Sequence, residues 1–184
     1  METDYQRVEF PYVRSRDQDA PAPVHHPVVV VGAGPVGLTA AIDLAQQSVP
    51  VVVLDDDNKL SYGSRAICFA KRTLDIWDRL GCAERMVQKG VSWNVGKVYF
   101  RDELVYSFNL LPEPGYRRPA FINLQQYYIE QYLYERARAL PAVDLRFQHR
   151  CVGVRRFPYL FCKITDQTRS PDAQFNFGVA RRHA

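Results

Sequence analysis

The chain has 184 residues, of which 47% are hydrophobic and 24% charged; that length and balance describe one globular domain with a core of its own and leave little for a second. No apolar run reaches the roughly 20 residues of a bilayer span, and there are no internal repeats, so neither a membrane-spanning nor a repeat protein is predicted. The net charge of +4 is uneven: from Arg150 onward there are 7 basic and 2 acidic residues, before it 17 and 18. The excess belongs to the tail, so no nucleic-acid partner is predicted from it.

The first 27 residues carry charges and prolines throughout and no apolar h-region, so they read as a flexible leader and not as a secretory signal. A continuous pattern begins at Val28. Val28-Val29-Val30-Val31 reads as a strand, Gly32-Ala33-Gly34-Pro35-Val36-Gly37 as a glycine-rich turn, Leu38 to Ala45 as a helix, and Val51-Val52-Val53-Leu54-Asp55 as a second strand ending in acid. Each position has a physical reason. Gly32 turns the chain sharply, Gly34 lets a pyrophosphate approach the backbone, and Gly37 lets the helix lie close on the sheet. Pro35 suits the first helical turn, whose unpaired N–H groups and positive dipole end attract an anion. Asp55 stands 18 positions after Gly37, where an acid meets adenosine ribose hydroxyls, with Asp56 beside it. This is a βαβ unit for a dinucleotide.

Beyond the acids, Asn58 to Gly63 is a polar loop. A helix is predicted to start near Arg65 or Ala66 and to run to Leu80, with Leu74, Trp77 and Leu80 on one face and Gly81 as its stop. Ala83 to Lys89 is a short second helix closed by Gly90. Lys97 to Phe100 and Leu104 to Phe108 form a β-hairpin, whose Tyr99, Phe100, Tyr106 and Phe108 are expected to face a hairpin core. Pro112 to Pro119 is a loop in which Arg117 and Arg118 read as solvated. Asn123 is placed as the cap of a tyrosine-rich helix that stops before Pro141. Val143 to Phe147 is a strand, and Arg150 to Val154 begins another. Cys68, Cys82, Cys151 and Cys162 contain no C-x-x-C pair and the four histidines no ligand spacing, which predicts free thiols, no metal and a cytoplasmic setting. Cys68 is expected to be a small buried hydrophobe.

This order, a dinucleotide unit interrupted by a helix and hairpin and then resumed, resembles the FAD-binding half of the class A flavin monooxygenases built like para-hydroxybenzoate hydroxylase. Gly63-Ser64-Arg65-Ala66, Arg72-Thr73-Leu74 with Gly81, and Phe121-Ile122-Asn123-Leu124-Gln125-Gln126 before the tyrosine-rich helix are similar to that family, most of all to its 3-(3-hydroxyphenyl)propionate hydroxylase type. The resemblance covers about residues 26 to 153 and implies an α/β fold, a Rossmann-like FAD-binding domain with an inserted β-hairpin element, truncated. It implies FAD as cofactor, with Arg65 beside the flavin and pyrophosphate and Gln126, in preference to Gln125, on the pyrophosphate and ribityl region. In the intact family NAD(P)H is the co-substrate and a small phenolic or aromatic compound is hydroxylated with O₂; no catalytic side chain is assigned within this chain.

The expected domain pattern is a leader over 1–27, an FAD-binding domain over 28–154 with its insertion at about 65–110, and an atypical tail over 155–184. The family's later Asp-Gly and Gly-Asp segments are absent and the tail shows no clear periodicity, so the reading frame is expected to leave the family soon after Gly153. Apolar surface left uncovered by that loss predicts self-association. The competing readings are an NAD-dependent Rossmann oxidoreductase, with Asp55 on the nicotinamide cofactor's adenosine ribose, and a non-catalytic FAD-binding remnant.

Overall fold

In the computed structural model, residues 8–61, 65–156, 160–166 and 174–179 are described, those from 155 onward by their backbone. In chain order the elements are β1 (Val24–His26), β2 (Val28–Val31), α1 (Pro35–Gln46), β3 (Val51–Leu54), β4 (Cys68–Ala70), α2 (Lys71–Arg79), α3 (Ala83–Lys89), β5 (Val91–Trp93), β6 (Val95–Phe100), β7 (Glu103–Asn109), β8 (Phe121–Asn123), α4 (Gln126–Arg138), β9 (Val143–Arg146), β10 (His149–Arg156), β11 (Leu160–Asp166) and β12 (Gln174–Val179). They divide into two compact units, Met1–Tyr62 with Leu133–Ala184, and Gly63–Tyr132.

The first unit is built on the predicted βαβ. β3 lies between β2 and β9 in a parallel sheet, with Val28 opposite Val51 and Leu54 opposite Arg146. All four β3 residues are buried, which is why the strand reads as a continuous apolar run: a parallel strand covered on both faces has no side for polar residues. α1 buries Leu38, Ala41, Ile42 and Ala45, the i, i+3, i+4, i+7 stripe of a helix laid on a sheet.

A second sheet in this unit has the order β1-β12-β11-β10. β1 runs parallel to β12, and β11 is antiparallel to both its neighbours. Residues 160–166 and 174–179 are therefore strands, where the sequence shows no clear periodicity. Leu160, Phe161, Cys162, Ile164 and Thr165 are suited to a strand, but charged and proline-bearing stretches on either side mask the pattern. The tail residues Phe157-Pro158 and Arg181 to Ala184 lie outside the described residues.

The segment read as an open leader is packed in its described part. Arg16–Asp19 makes a 3₁₀ turn, and Asp17 is bonded to His26 Nε2 at 2.8 Å and to Arg146. Arg146 is 129 positions away along the chain, so no local pattern announces the contact.

In the second unit β8 is the centre of an antiparallel sheet, β4-β8-β5. This unit runs from Gly63 to Tyr132. Residues 68–70 are strand, not the start of a helix, because Cys68, Phe69 and Ala70 pair with Asn123, Ile122 and Phe121. α2 buries Leu74 and Trp77, and Leu80 beyond its end is fully buried. The stop at Gly81 is as predicted: its N–H donates to Asp78 O and that of Cys82 to Trp77 O, closing the last turn. Asn123 is part of β8 and accepts a hydrogen bond from Trp93 Nε1 at 2.9 Å, so it does not cap α4.

Three local expectations are corrected. Arg118 is not solvated: its side chain is 5% exposed and bridges Asp78 and Glu84. Cys68 is exposed, since a three-residue strand against one neighbour leaves its outer face open. The hairpin β6–β7 has no core: Tyr99, Phe100 and Tyr106 are 56–67% exposed, because two strands alone cannot cover either face.

Candidate cofactor site

The glycine turn leaves β2 with Gly32 at φ 101°, its N–H donating to Leu54 O at 2.7 Å. Gly37 faces back onto it. A Cβ at Gly37 would stand 1.9 Å from the Gly32 carbonyl oxygen and 3.1 Å from Val30 Cγ1, so contact between helix and strand demands glycine there. Gly34 differs. Its backbone is extended, with φ −75° and ψ −178°, a conformation open to any residue, and a Cβ on it would meet nothing within 4 Å. Nothing in the fold requires glycine at 34; the space beside it is open.

Gly34 is the N-cap of α1 with no side-chain cap, Pro35 opens the helix, and there is no acidic residue in the first turn. The first-turn N–H groups and the positive end of a 12-residue helix thus stand without a side-chain anion. Val36 is 85% exposed and Val31 59% exposed on the same turn, large apolar side chains that water alone does not favour.

Asp55 closes the cradle. Its Oδ2 accepts the Ala33 N–H at 2.5 Å and its Oδ1 the Asp57 N–H at 2.8 Å, so the acid and the glycine turn are one hydrogen-bonded piece. Burial pushes its carboxyl above the ordinary range, and the charges of Asp56 and Asp57 add to that, while the two N–H groups oppose them. The corner after β9 fixes its backbone: Asp55 N–H donates to Arg146 O at 2.9 Å and His149 N–H to Asp55 O at 2.8 Å. Sequence reasoning missed this corner, since its partners meet only in the folded sheet. Asp56 is exposed, 3.9 Å from Arg150, a spacing that contributes little.

Arg65 and Gln126 belong to the second unit and are brought together within it. The Gln126 N–H donates to Ala66 O at 3.2 Å and the Leu124 N–H to Ile67 O at 2.7 Å, so the segments 65–67 and 124–126 lie side by side. Arg65 is exposed on a bend before β4. Gln126 is the first residue of α4, its amide donating to Glu130 Oε1 at 2.6 Å; Glu130 is 2% exposed. That bond orients the amide and leaves its oxygen able to accept. Gly63 and Ser64 lie outside the described residues. Among the described residues no group of His, Cys, Asp and Glu could hold a metal ion, and no helix is long and apolar enough to cross a membrane.

Residues 25–158 match the family of FAD binding domains. The chain belongs to this family. A flavin-dependent monooxygenase of Mycobacteroides abscessus is 31% identical over 134 residues, 68% of this chain and 28% of that protein. Para-nitrophenol 4-monooxygenase of a Pseudomonas species is 30% identical over 148 residues, 78% of this chain and 36% of the relative. A 3-(3-hydroxy-phenyl)propionate/3-hydroxycinnamic acid hydroxylase of Mycolicibacterium vanbaalenii is 28% identical over 67% of the chain, in accord with the type the sequence resembles. Among solved structures, p-nitrophenol 4-monooxygenase from Pseudomonas putida superposes with a TM-score of 0.75 at 24% identity, over 85% of this chain and 40% of that one, which shows the shared Rossmann-like fold. The chain spans about a third of the length of these relatives and matches their FAD-binding part. The family's cofactor rules against the NAD-dependent alternative.

Proposed function

We propose that this chain is the FAD-holding portion of a flavin-dependent monooxygenase that hydroxylates a small phenolic or aromatic compound with NAD(P)H and O₂. The observation that carries the reading is Gly34, a glycine without a packing reason, at the uncapped start of α1 and opposite a partly buried acid. A dinucleotide supplies the missing reason, because its pyrophosphate needs the room a side chain would take.

In this reading the backbone from Gly32 through Ala33, Gly34, Pro35 and Val36 to Gly37 receives the pyrophosphate, Asp55 accepts from the adenosine ribose hydroxyls, and Asp56 adds charge at the rim. Arg65 meets the phosphate and flavin side as a fork of donors, and Gln126, aimed by Glu130, hydrogen-bonds the ribityl region. FAD, when bound, supplies electron transfer from NAD(P)H and the activation of O₂. The residues named here bind and orient it. The names of the relatives support an aromatic substrate, para-nitrophenol and a hydroxyphenylpropionate among them, and a probable NADH-specific resorcinol 4-hydroxylase of Rhodococcus jostii supports a nicotinamide co-substrate. We place the FAD-binding domain at 28–154 and its work in the cytoplasm, where reduced nicotinamide is supplied. Self-association through the exposed hairpin also belongs to this reading.

The test is the visible spectrum of the purified chain after incubation with FAD and gel filtration. Flavin bands eluting with the protein are expected. A colourless protein, or one that retains NADH in place of FAD, overturns the reading.

A further inference from the structure

The family match begins at residue 25, yet residues upstream of it are bonded to the loop that follows the ribose acid. The Phe10 N–H donates to Asn58 O at 2.6 Å and the Leu60 N–H to Val8 O at 3.4 Å, while Glu9 forms an antiparallel bridge with Lys59. The Phe10 ring is the anchor. It stacks on Phe147 with centroids 3.7 Å apart and planes 12° from parallel, and meets Tyr134 at 4.9 Å.

Gln148 joins this segment to the acid. Its side-chain Nε2 donates to Phe10 O at 2.7 Å, and its backbone N–H donates to Asp57 O at 3.1 Å. It holds φ 59°, a left-handed conformation that costs a non-glycine residue free energy and persists where surrounding bonds fix it. From Asp57 the path continues: its N–H donates to Asp55 Oδ1, and Asp55 Oδ2 accepts from Ala33 in the glycine turn. Asn58, held by Phe10 through its carbonyl, donates its own N–H to Asp57 Oδ1 at 2.8 Å. Residues 57 and 58 are therefore held in succession, the Asp57 carbonyl by Gln148 and the Asn58 carbonyl by Phe10, and Asp57 donates to the acid.

Such holding has a purpose. Asp55, Asp56 and Asp57 are three consecutive carboxylates, and their repulsion favours a splayed loop in which Asp55 would swing away from the turn. We infer that residues 8–10 are a strap which, through Gln148, keeps the Asp55 carboxylate turned toward the glycine turn, where it meets the nucleotide ribose. Phe10 and Gln148 are thus positioning residues of the cofactor site. The consequence for FAD rests on the proposed function; the positioning of Asp55 does not.

The experiment separates the two. In Gln148→Gly the left-handed backbone and its bond to Asp57 are retained, because glycine adopts φ 59° without strain, and only the amide to Phe10 is lost. Amide hydrogen exchange in the FAD-free chain, followed by NMR, is expected to accelerate about tenfold or more at Ala33, with the amides of α1 and β3 unchanged. Phe10→Ala gives the same signature if it folds, and Gln148→Gly decides alone if it does not. FAD titration adds a double-mutant cycle: Gln148→Gly weakens binding about tenfold in the wild-type background and has no further effect in Asp55→Asn. Unchanged exchange at Ala33 in Gln148→Gly, exchange that rises equally throughout the unit, or FAD losses that add in the double variant each overturn the strap. A wild-type chain that binds no FAD would overturn the proposed function, and Ala33 exchange would still decide the strap.

Discussion

Gly34 and Gly37 stand three residues apart in one turn, yet different things exclude a side chain at each. At Gly37 it is the protein, since a Cβ would lie 1.9 Å from a backbone oxygen that cannot rotate away. At Gly34 the protein offers open space, so in the proposed reading the exclusion belongs to the pyrophosphate. The two alanine variants are therefore expected to fail in opposite ways. Gly37→Ala costs the fold about 1–3 kcal/mol or more, as forced overpacking does, visible as a lower urea midpoint without any ligand. Gly34→Ala changes the fold by about 1 kcal/mol at most, the scale of an N-cap change, but weakens FAD by at least about tenfold, or 1.4 kcal/mol, in a flavin-fluorescence titration. A Gly34→Ala chain that binds FAD as tightly as wild type would mean that no pyrophosphate occupies the space beside that glycine.

Among the elements, α2 and α3 show how a loop is fastened by charge. Arg118 reaches from the loop before β8 to Asp78 at the end of α2 and to Glu84 at the start of α3, with its side chain only 5% exposed, while Arg117 is 76% exposed and 3.2 Å from the same Asp78. The Arg118 hydrogen bond, chiefly, holds the Asp78 carboxyl below its ordinary range. Replacing Arg118 by methionine is expected to lower stability by about 1.5–3 kcal/mol, the scale of hydrogen bonds to charged groups, and Arg117→Met by less than about 0.5 kcal/mol; equal urea midpoints for the two variants would contradict this. The pair also marks how far the sequence could be read. Both arginines look alike in a proline-rich loop, and only the fold tells which is buried. β2, α1 and β3 were legible because a doubly covered parallel strand and an amphipathic helix write their burial into local pattern, and the glycines and Asp55 followed from that context. β4 and β8 were not, because three residues carry no period and their pairing joins positions more than 50 apart. The leader's packing was hidden for the same reason, and Arg65 and Gln126 are proposed only on resemblance, since a bend arginine and a helix-start glutamine have no pattern of their own.

For the whole molecule the proposal that bears on behaviour in solution concerns the hairpin. Val95, Val98, Tyr99, Phe100, Leu104, Val105 and Tyr106 are each 48–67% exposed, and the three rings alone present roughly 300–450 Å² at the usual 150–250 Å² per aromatic side chain. Together with the four aliphatic residues these side chains alternate between the two faces of the hairpin, so each face carries an apolar patch on the scale of the largest on a typical monomer, about 300–600 Å². The sheet has two strands only, so each has an open edge. On β6 the edge carries Lys97 in mid-strand, a charge that discourages pairing. On β7 the only charge is Glu103 at the start. Antiparallel pairing of two β7 strands about Tyr106 would set Glu103 opposite Asn109 and Leu104 opposite Phe108, with no like charges facing. We propose a second copy of the chain as the occupant of this edge. Sedimentation velocity should find a dimer at roughly micromolar to tens of micromolar concentration, as for a small, weak interface. Tyr106→Lys, which sets two ammonium groups face to face on the two-fold axis while changing a side chain already 59% exposed, should return the monomer without lowering the urea midpoint. A wild-type chain that sediments as a monomer, or a Tyr106→Lys dimer as tight as the original, would mean that this edge does not pair with its own copy.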